Sequence, residues 1–165
     1  MAVQIIMQHP LQRPVCFAVL KAMITDSCCR TANSTTKISA KSGCIDVLMV
    51  LMGTGFTTRP IEFLLKATPT LETSVVQHML ITILNAIQAP FSLQFQYSLQ
   101  ELLNLHITQK AFVGLLSSKS FDNEWKERLR LKHEDVFSSV ALQTDDSMSK
   151  NGNGNASMED EALFE

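Results

Sequence analysis

The clearest periodic pattern in the chain runs from residue 71 to residue 87, where apolar side chains recur at steps of three and four. Such steps place side chains on one stripe of an α-helix, so this stretch is predicted to be helical. We expect Thr68, beside Pro69, to cap the first free N–H groups and Pro90 to end the helix. The stripe consists of Leu71, Val75, Val76, Met79, Leu80, Ile83, Leu84 and Ile87.

Shorter helical patterns begin at a proline or at a residue that can cap a helix. Pro14 and Pro60 suit a first turn, where the missing N–H is not needed, and Thr108 and Asp122 can accept hydrogen bonds from free N–H groups. The apolar run 44–52 is assigned as a helix because its leucines and methionines are unbranched at Cβ. The periodic apolar positions are Val15, Ala18, Val19, Met23 and Ile24 in the first helix, and Trp125, Leu129, Val136 and Val140 in the last.

Residues 91–99 fit two structures. Apolar and polar side chains alternate strictly there, which is typical of a half-buried strand. A helix fits as well, because Phe95, Leu99, Leu102 and Leu103 fall on one helical face together with His106. A lone strand has no partner elsewhere in the chain, so the helix is favoured.

These elements predict an all-α protein of short antiparallel helices, either an α-solenoid fragment or an irregular helical bundle. Residues 151–155 alternate asparagine and glycine and cannot bury enough surface to offset their ordering entropy, so the C-terminal tail is expected to be disordered. The predicted organisation is an N-terminal helical segment (1–29), a Ser/Thr-rich linker (30–43), a helical domain (44–142) and a disordered acidic tail (143–165).

The spacing of the helix starts resembles that of HEAT and armadillo repeats. Pro14, Pro60 and Thr108 lie 46 and 48 residues apart, close to the repeat length of about 40–47 in those families. The short helix 61–67 followed by the long apolar helix 71–87 carries the resemblance, which covers residues 44–142. It implies a stacked helical fragment that binds another protein, and the small number of repeats fits the terminal part of a larger repeat protein or assembly.

Composition and charge narrow the function classes. The chain is 45% hydrophobic and 18% charged, below the charged share of about 25% in ordinary soluble domains, so some apolar surface is expected to be covered by a partner. Net charge is −2. From residue 144 onward there are six acidic residues against Lys150, which leaves the body mildly basic. No broad basic field exists, and no nucleic acid partner is expected.

Cysteine usage and hydropathy predict a cytoplasmic or nuclear protein. Cys16, Cys28, Cys29 and Cys44 do not form the disulfide framework of a small secreted domain. The apolar run 15–24 lacks a cleavage site and is shorter than the roughly 20 residues of a membrane span. We therefore expect no secretion and no membrane span.

Signatures of catalysis, metal binding and phosphate binding are missing from the sequence. There is no Gly-x-Ser-x-Gly, no Cys-x2-Cys, no His-Glu-x-x-His and no Gly-Lys-Ser/Thr. We expect no enzymatic activity, no cofactor and no metal. The alternative hypothesis is a thiol- or zinc-dependent protein that uses Cys16, Cys28, Cys29 and Cys44.

The expected function is protein–protein interaction, with a partner that the sequence does not identify. The aromatic side chains Tyr97, Phe121 and Trp125 are the candidate contacts on the helical domain. In the tail, Leu163 and Phe164 are flanked by acidic residues and are candidate contacts for a partner's groove. Ser157, two residues before Glu159, is a candidate phosphorylation site.

Overall fold

The computed structural model describes residues 9–25, 33–87 and 92–148, with side chains as far as Ser138. Seven α-helices and no strand are found in these residues, which confirms the all-α prediction. Two 3₁₀ turns, Pro10–Gln12 and Thr68–Thr70, accompany them. The helices are α1 (Arg13–Thr25), α2 (Ser34–Gly53), α3 (Thr58–Ala67), α4 (Thr73–Ala86), α5 (Leu93–Asn104), α6 (His106–Ser117) and α7 (Asn123–Met148).

The helices pack in two rows. Helices α1, α3, α5 and α7 form the first row and α2, α4 and α6 form the second, so that each helix contacts the helix two places along the chain. Helix α1 packs chiefly on α2, while α6 and α7 close the opposite end against α4 and α5.

Apolar side chains from both rows fill one continuous interior between them. Helix α4 is central, because it contacts α2, α6 and α7. Its predicted stripe is buried, apart from the half-buried Ile87. The side chains that are fully enclosed include Leu48, Ile61, Leu64, Val76, Leu80, Ile83, Leu99, Leu102 and Ala111.

The stretch predicted as a linker is helical from Ser34 onward. The Asn33 side chain accepts a hydrogen bond from the Thr36 backbone N–H at 2.9 Å and so satisfies a free donor at the start of α2. Ile38 packs against the core, and Lys41 pairs with Glu72 at 2.9 Å. A cap and two anchors thus outweigh the weak helix propensity of the Ser and Thr residues.

Two of the three predicted hydroxyl and carboxyl caps are wrong. Thr68 lies in a 3₁₀ turn and donates its hydroxyl hydrogen bond to the Leu64 carbonyl at 2.6 Å, so it does not cap α4. Thr108 lies inside α6, which begins at His106. Asp122 caps α7 as predicted, because its carboxylate accepts from the Trp125 N–H at 2.6 Å.

The ambiguous segment is helix α5, as predicted. Ser92 accepts a hydrogen bond from the Phe95 N–H at 3.4 Å, and the helix then buries Phe95, Leu99, Leu102 and Leu103. The side chains that alternate in polarity therefore lie around the circumference of a helix and not on the two faces of a strand.

The predicted repeat period of 46–48 residues does not describe the observed order of helices. The first-row helices α1, α3, α5 and α7 begin at Arg13, Thr58, Leu93 and Asn123, which gives intervals of 45, 35 and 30 residues. Thr108 belongs to the second row, whereas Pro14 and Pro60 belong to the first. Helix α7 runs to Met148 and so includes residues that were expected to start the tail.

Candidate interaction surface

Helix α1 is held by a small set of inward contacts. Leu20 and Ile24 are buried against the core. The ring of Phe17 lies edge-on to Phe56 and Phe63, with centroid distances of 5.8 and 5.9 Å. These contacts fix which side of the helix faces outward.

The outward side of α1 is apolar along its whole length. Leu11 is 93% exposed, Val15 66%, Val19 54% and Met23 43%. Val15, Val19 and Met23 follow one another at steps of four and therefore lie on one side of α1, with Leu11 in the 3₁₀ turn that precedes it; the Met23 sulfur also contacts the Cys44 thiol at 4.0 Å. Pro14, Ala18 and Ala22 are exposed between them, and no charged side chain interrupts them. We call these seven residues the α1 outer face.

The sequence pattern singled out Val15, Val19 and Met23 but suggested nothing about which side would be buried. A helix with apolar side chains all round is usually covered on every side. Large exposed apolar patches on otherwise folded proteins mark interaction sites or aggregation-prone surfaces. The α1 outer face is therefore the candidate interaction surface of the described residues.

The opposite end of the stack has a different surface. On the exposed side of α7, Arg130 pairs with Glu127 at 2.6 Å and also with Glu134. Leu131 on α7 and Val113 on α6 are the large apolar residues exposed on the helices of this end. Charged pairs at helical steps of three and four make this face compatible with water.

The predicted aromatic contacts lie elsewhere. Tyr97 is exposed on α5, at 46% of its surface. Phe121 and Trp125 stack with ring centroids 4.0 Å apart and pack against the core, so much of their surface is occupied internally. Ser157, Leu163 and Phe164 lie outside the described residues. The α1 outer face was missed because periodicity does not distinguish an inward stripe from an outward one.

The thiols do not assemble in the described part of the chain. Cys16 is half-buried, Cys44 is buried with its thiol 4.0 Å from the Met23 sulfur, and Cys28 and Cys29 lie outside the described residues. Burial raises the pKa of the Cys16 thiol and so disfavours its nucleophilic form. Across residues 9–25, 33–87 and 92–148, no group of three or more His, Cys, Asp or Glu side chains is placed to hold a metal ion.

One histidine packs against an aromatic ring. His133 is half-buried and stacks on Phe112 with a centroid distance of 4.4 Å. This burial lowers the pKa of the imidazole, although the neighbouring Glu134 carboxylate acts in the opposite direction. His78 lies at the edge of the fold and hydrogen-bonds Asp46 at 2.7 Å.

In the part of the chain that the structure describes, none of the helices combines the length and the hydrophobicity of a membrane span. Comparisons of the chain with protein-family models, with curated proteins and with solved structures each found no match.

Proposed function

We propose that this chain is a non-enzymatic helical interaction module that forms the end of a larger helical-repeat protein or assembly. The α1 outer face is the surface that binds the neighbour. The neighbour presents an apolar helical face with few charges, because a charged face would lose its hydration there without gaining partners.

The observation that carries this proposal is the difference between the two ends of the stack. Stacked helical repeats need a polar outer face on their terminal units, because that face remains in water. Helix α7 meets this requirement with the ion pairs of Arg130, Glu127 and Glu134. Helix α1 and the 3₁₀ turn before it do not, because together they expose seven apolar side chains in a continuous strip. The two ends of the stack thus differ. The outer side of α7 carries ion pairs, whereas the α1 outer face is an apolar surface on which further helices can pack.

The two-row packing is compatible with the same proposal. In HEAT and armadillo proteins, helix pairs stack so that each helix meets its counterpart in the next pair, and here each helix contacts the one two places along. The unequal intervals between first-row helices argue for an irregular member of this architecture. A neighbour docked on α1 would extend both rows in the same direction.

The test replaces part of the α1 outer face without touching the core. Val15→Ser with Val19→Ser removes two exposed apolar side chains, and Leu131→Ser on α7 is the matched control at an exposed position. In the full chain, we expect the wild type to bind a hydrophobic dye and to self-associate with increasing concentration in light scattering. The double variant should lose most of both signals, whereas Leu131→Ser should keep them.

A photo-crosslinking amino acid at position 19 identifies the neighbour in cells. We expect it to crosslink one discrete protein with a helical-repeat architecture, and the same amino acid at position 131 should not. A wild type that stays monomeric, binds no dye and gives no crosslink from position 19 would disprove the proposal.

A further inference from the structure

A second surface, distinct from the α1 outer face, is a groove between α1 and α3. Its volume is about 460 Å³. Its floor is apolar, since Phe63 and Ala67 are buried and Phe17 is half-buried. Its walls are polar and carry Lys21, Thr25, Arg59, Glu62, Lys66 and Thr70.

The groove concentrates positive charge that is not neutralised. Three cations, Lys21, Arg59 and Lys66, face one carboxylate, Glu62. None of these cations forms an ion pair with another residue of the described segments, whereas Lys41 and Arg130 elsewhere in the fold do. An apolar floor between unpaired cations is complementary to a peptide with apolar side chains flanked by acids.

The sequence contains one segment with this chemistry. Residues 159–165 include the only run of three consecutive acidic residues in the chain, followed by an adjacent leucine and phenylalanine and a further glutamate. We propose that residues 159–165 bind in the α1–α3 groove of the same molecule. Leu163 and Phe164 contact the apolar floor, and the acidic side chains pair with Lys21, Arg59 and Lys66.

The connection between the two sites favours binding within one molecule. Ten residues, 149–158, separate the end of α7 from the acidic run, and they can extend to about 33–36 Å. Helices α7 and α3 are two steps apart in the first row, so their axes are about 16–20 Å apart at ordinary helix spacings, and the offset of the end of α7 along the axis adds to this span. A connection of ten residues would give an effective concentration on the order of millimolar, so a groove of modest affinity would be occupied.

Phosphorylation of Ser157 would strengthen this contact, because it adds negative charge two residues before the acidic run. The phosphate would supply a further hydrogen-bond acceptor for Lys21, Arg59 or Lys66 of the groove. The candidate phosphorylation site would then act on the affinity of the tail for the groove.

The experiment measures how well the groove of the full chain accepts a competing peptide. A fluorescent peptide of residues 157–165 is titrated with wild-type protein and with a variant carrying Leu163→Ser and Phe164→Ser. These substitutions lie outside the described residues and change no side chain of the described core, so we expect the fold to stay intact and the groove to be vacated. We expect the variant to bind the peptide about tenfold more tightly than the wild type, because its own tail no longer competes.

A charge reversal in the groove then locates the site. In the tail-variant background, Lys66→Glu or Arg59→Glu should weaken peptide binding at least about tenfold. Lys119→Glu, at an exposed position outside the groove, should change it little. Circular dichroism of each variant monitors the fold, and Arg59→Glu serves if Lys66→Glu unfolds the protein.

Three outcomes overturn the proposal. One is that the wild type and the tail variant bind the peptide with equal affinity. Another is that neither Lys66→Glu nor Arg59→Glu changes the affinity for the peptide. The third is that the wild-type tail competes with the peptide only at high protein concentration, because the tail would then bind the groove of a second copy. A loss of dye binding at the α1 outer face leaves this result unaffected, so the two proposals fail independently.

Discussion

The turn between α2 and α3 depends on one glycine. Gly55 has φ = +90°, in the left-handed region, and its N–H donates to the Met52 carbonyl at 3.0 Å. Two residues earlier, Gly53 ends α2 without a left-handed φ. The turn connects α2 of the second row to α3 of the first row, so its conformation affects how the chain passes between the rows.

The two glycines form a matched pair for measuring the cost of this conformation. A Cβ added at either position meets no atom within 4 Å, so crowding contributes to neither substitution. An L-residue held in the left-handed region costs about 1–2 kcal/mol, and the reduced entropy of the unfolded chain offsets about 0.4–1 kcal/mol of it. We expect Gly55→Ala to destabilise the fold by about 1 kcal/mol. Gly53→Ala lacks the strain and should stabilise it by about 0.5–1 kcal/mol.

Urea denaturation followed by circular dichroism resolves the difference. With an m-value of about 2 kcal/mol/M, a gap of about 2 kcal/mol separates the two midpoints by about 1 M. Gly55→Asn should lie closer to the wild type than Gly55→Ala, because asparagine tolerates the left-handed region. If Gly55→Ala and Gly53→Ala unfold at the same urea concentration, the left-handed conformation at position 55 does not strain an L-residue, and the reasoning is wrong.

Three further predictions concern polar groups in the fold. The Lys41 ammonium bonded to Glu72 lowers the pKa of that carboxyl, so the pair's stabilisation is present above the unfolded pKa and is lost as pH falls through the folded one. The urea midpoint of the wild type should therefore fall at acid pH, and Lys41→Met should reduce that fall. An equal fall in both proteins would exclude the Lys41–Glu72 pair as its cause. Burial lowers the pKa of His133, so its protonation opposes folding and stability falls below about pH 6.5. His133→Phe should reduce that fall in thermal melts, whereas an identical pH profile would contradict it. The hydroxyl of Thr108 is buried without a hydrogen-bond partner among the described residues, so Thr108→Val should raise the free energy of unfolding by about 1 kcal/mol, while a loss of stability would show that the hydroxyl is satisfied.

Much of the fold follows from local patterns in the sequence. The stripe of α4, the cap at Asp122 and the helical reading of α5 were all predictable because each depends on side chains close together along the chain. The start of α2 was not, because a single asparagine cap and distant partners such as Glu72 outweigh the unfavourable composition of its first turns. The predicted cap at Thr68 is wrong because a 3₁₀ turn, Thr68–Thr70, precedes α4, and the predicted cap at Thr108 is wrong because α6 begins two residues earlier, at His106.

The candidate surfaces were less predictable than the helices. The sequence indicated that Val15, Val19 and Met23 share one side of a helix, but only the packing of Leu20 and Ile24 turns that side toward solvent. The groove depends on cations from α1 and α3, which lie about 40 residues apart in sequence. Such a cluster carries no local signature. The aromatic residues predicted as contacts were partly used for internal stacking, as at Phe121 and Trp125.

The two-row packing has a consequence for how the chain acquires its structure. Because each helix meets a partner only two elements earlier, most contacts close short loops, and proteins of this kind fold within microseconds to milliseconds. Ribosomes add about 5–20 residues per second, so each helix has time to dock on the preceding ones before the next emerges. Folding can therefore proceed in the order of synthesis. Helix α7, with its charged outer side, is the last of the described helices to emerge, and it covers apolar surface of α4 and α5 that would otherwise contact water.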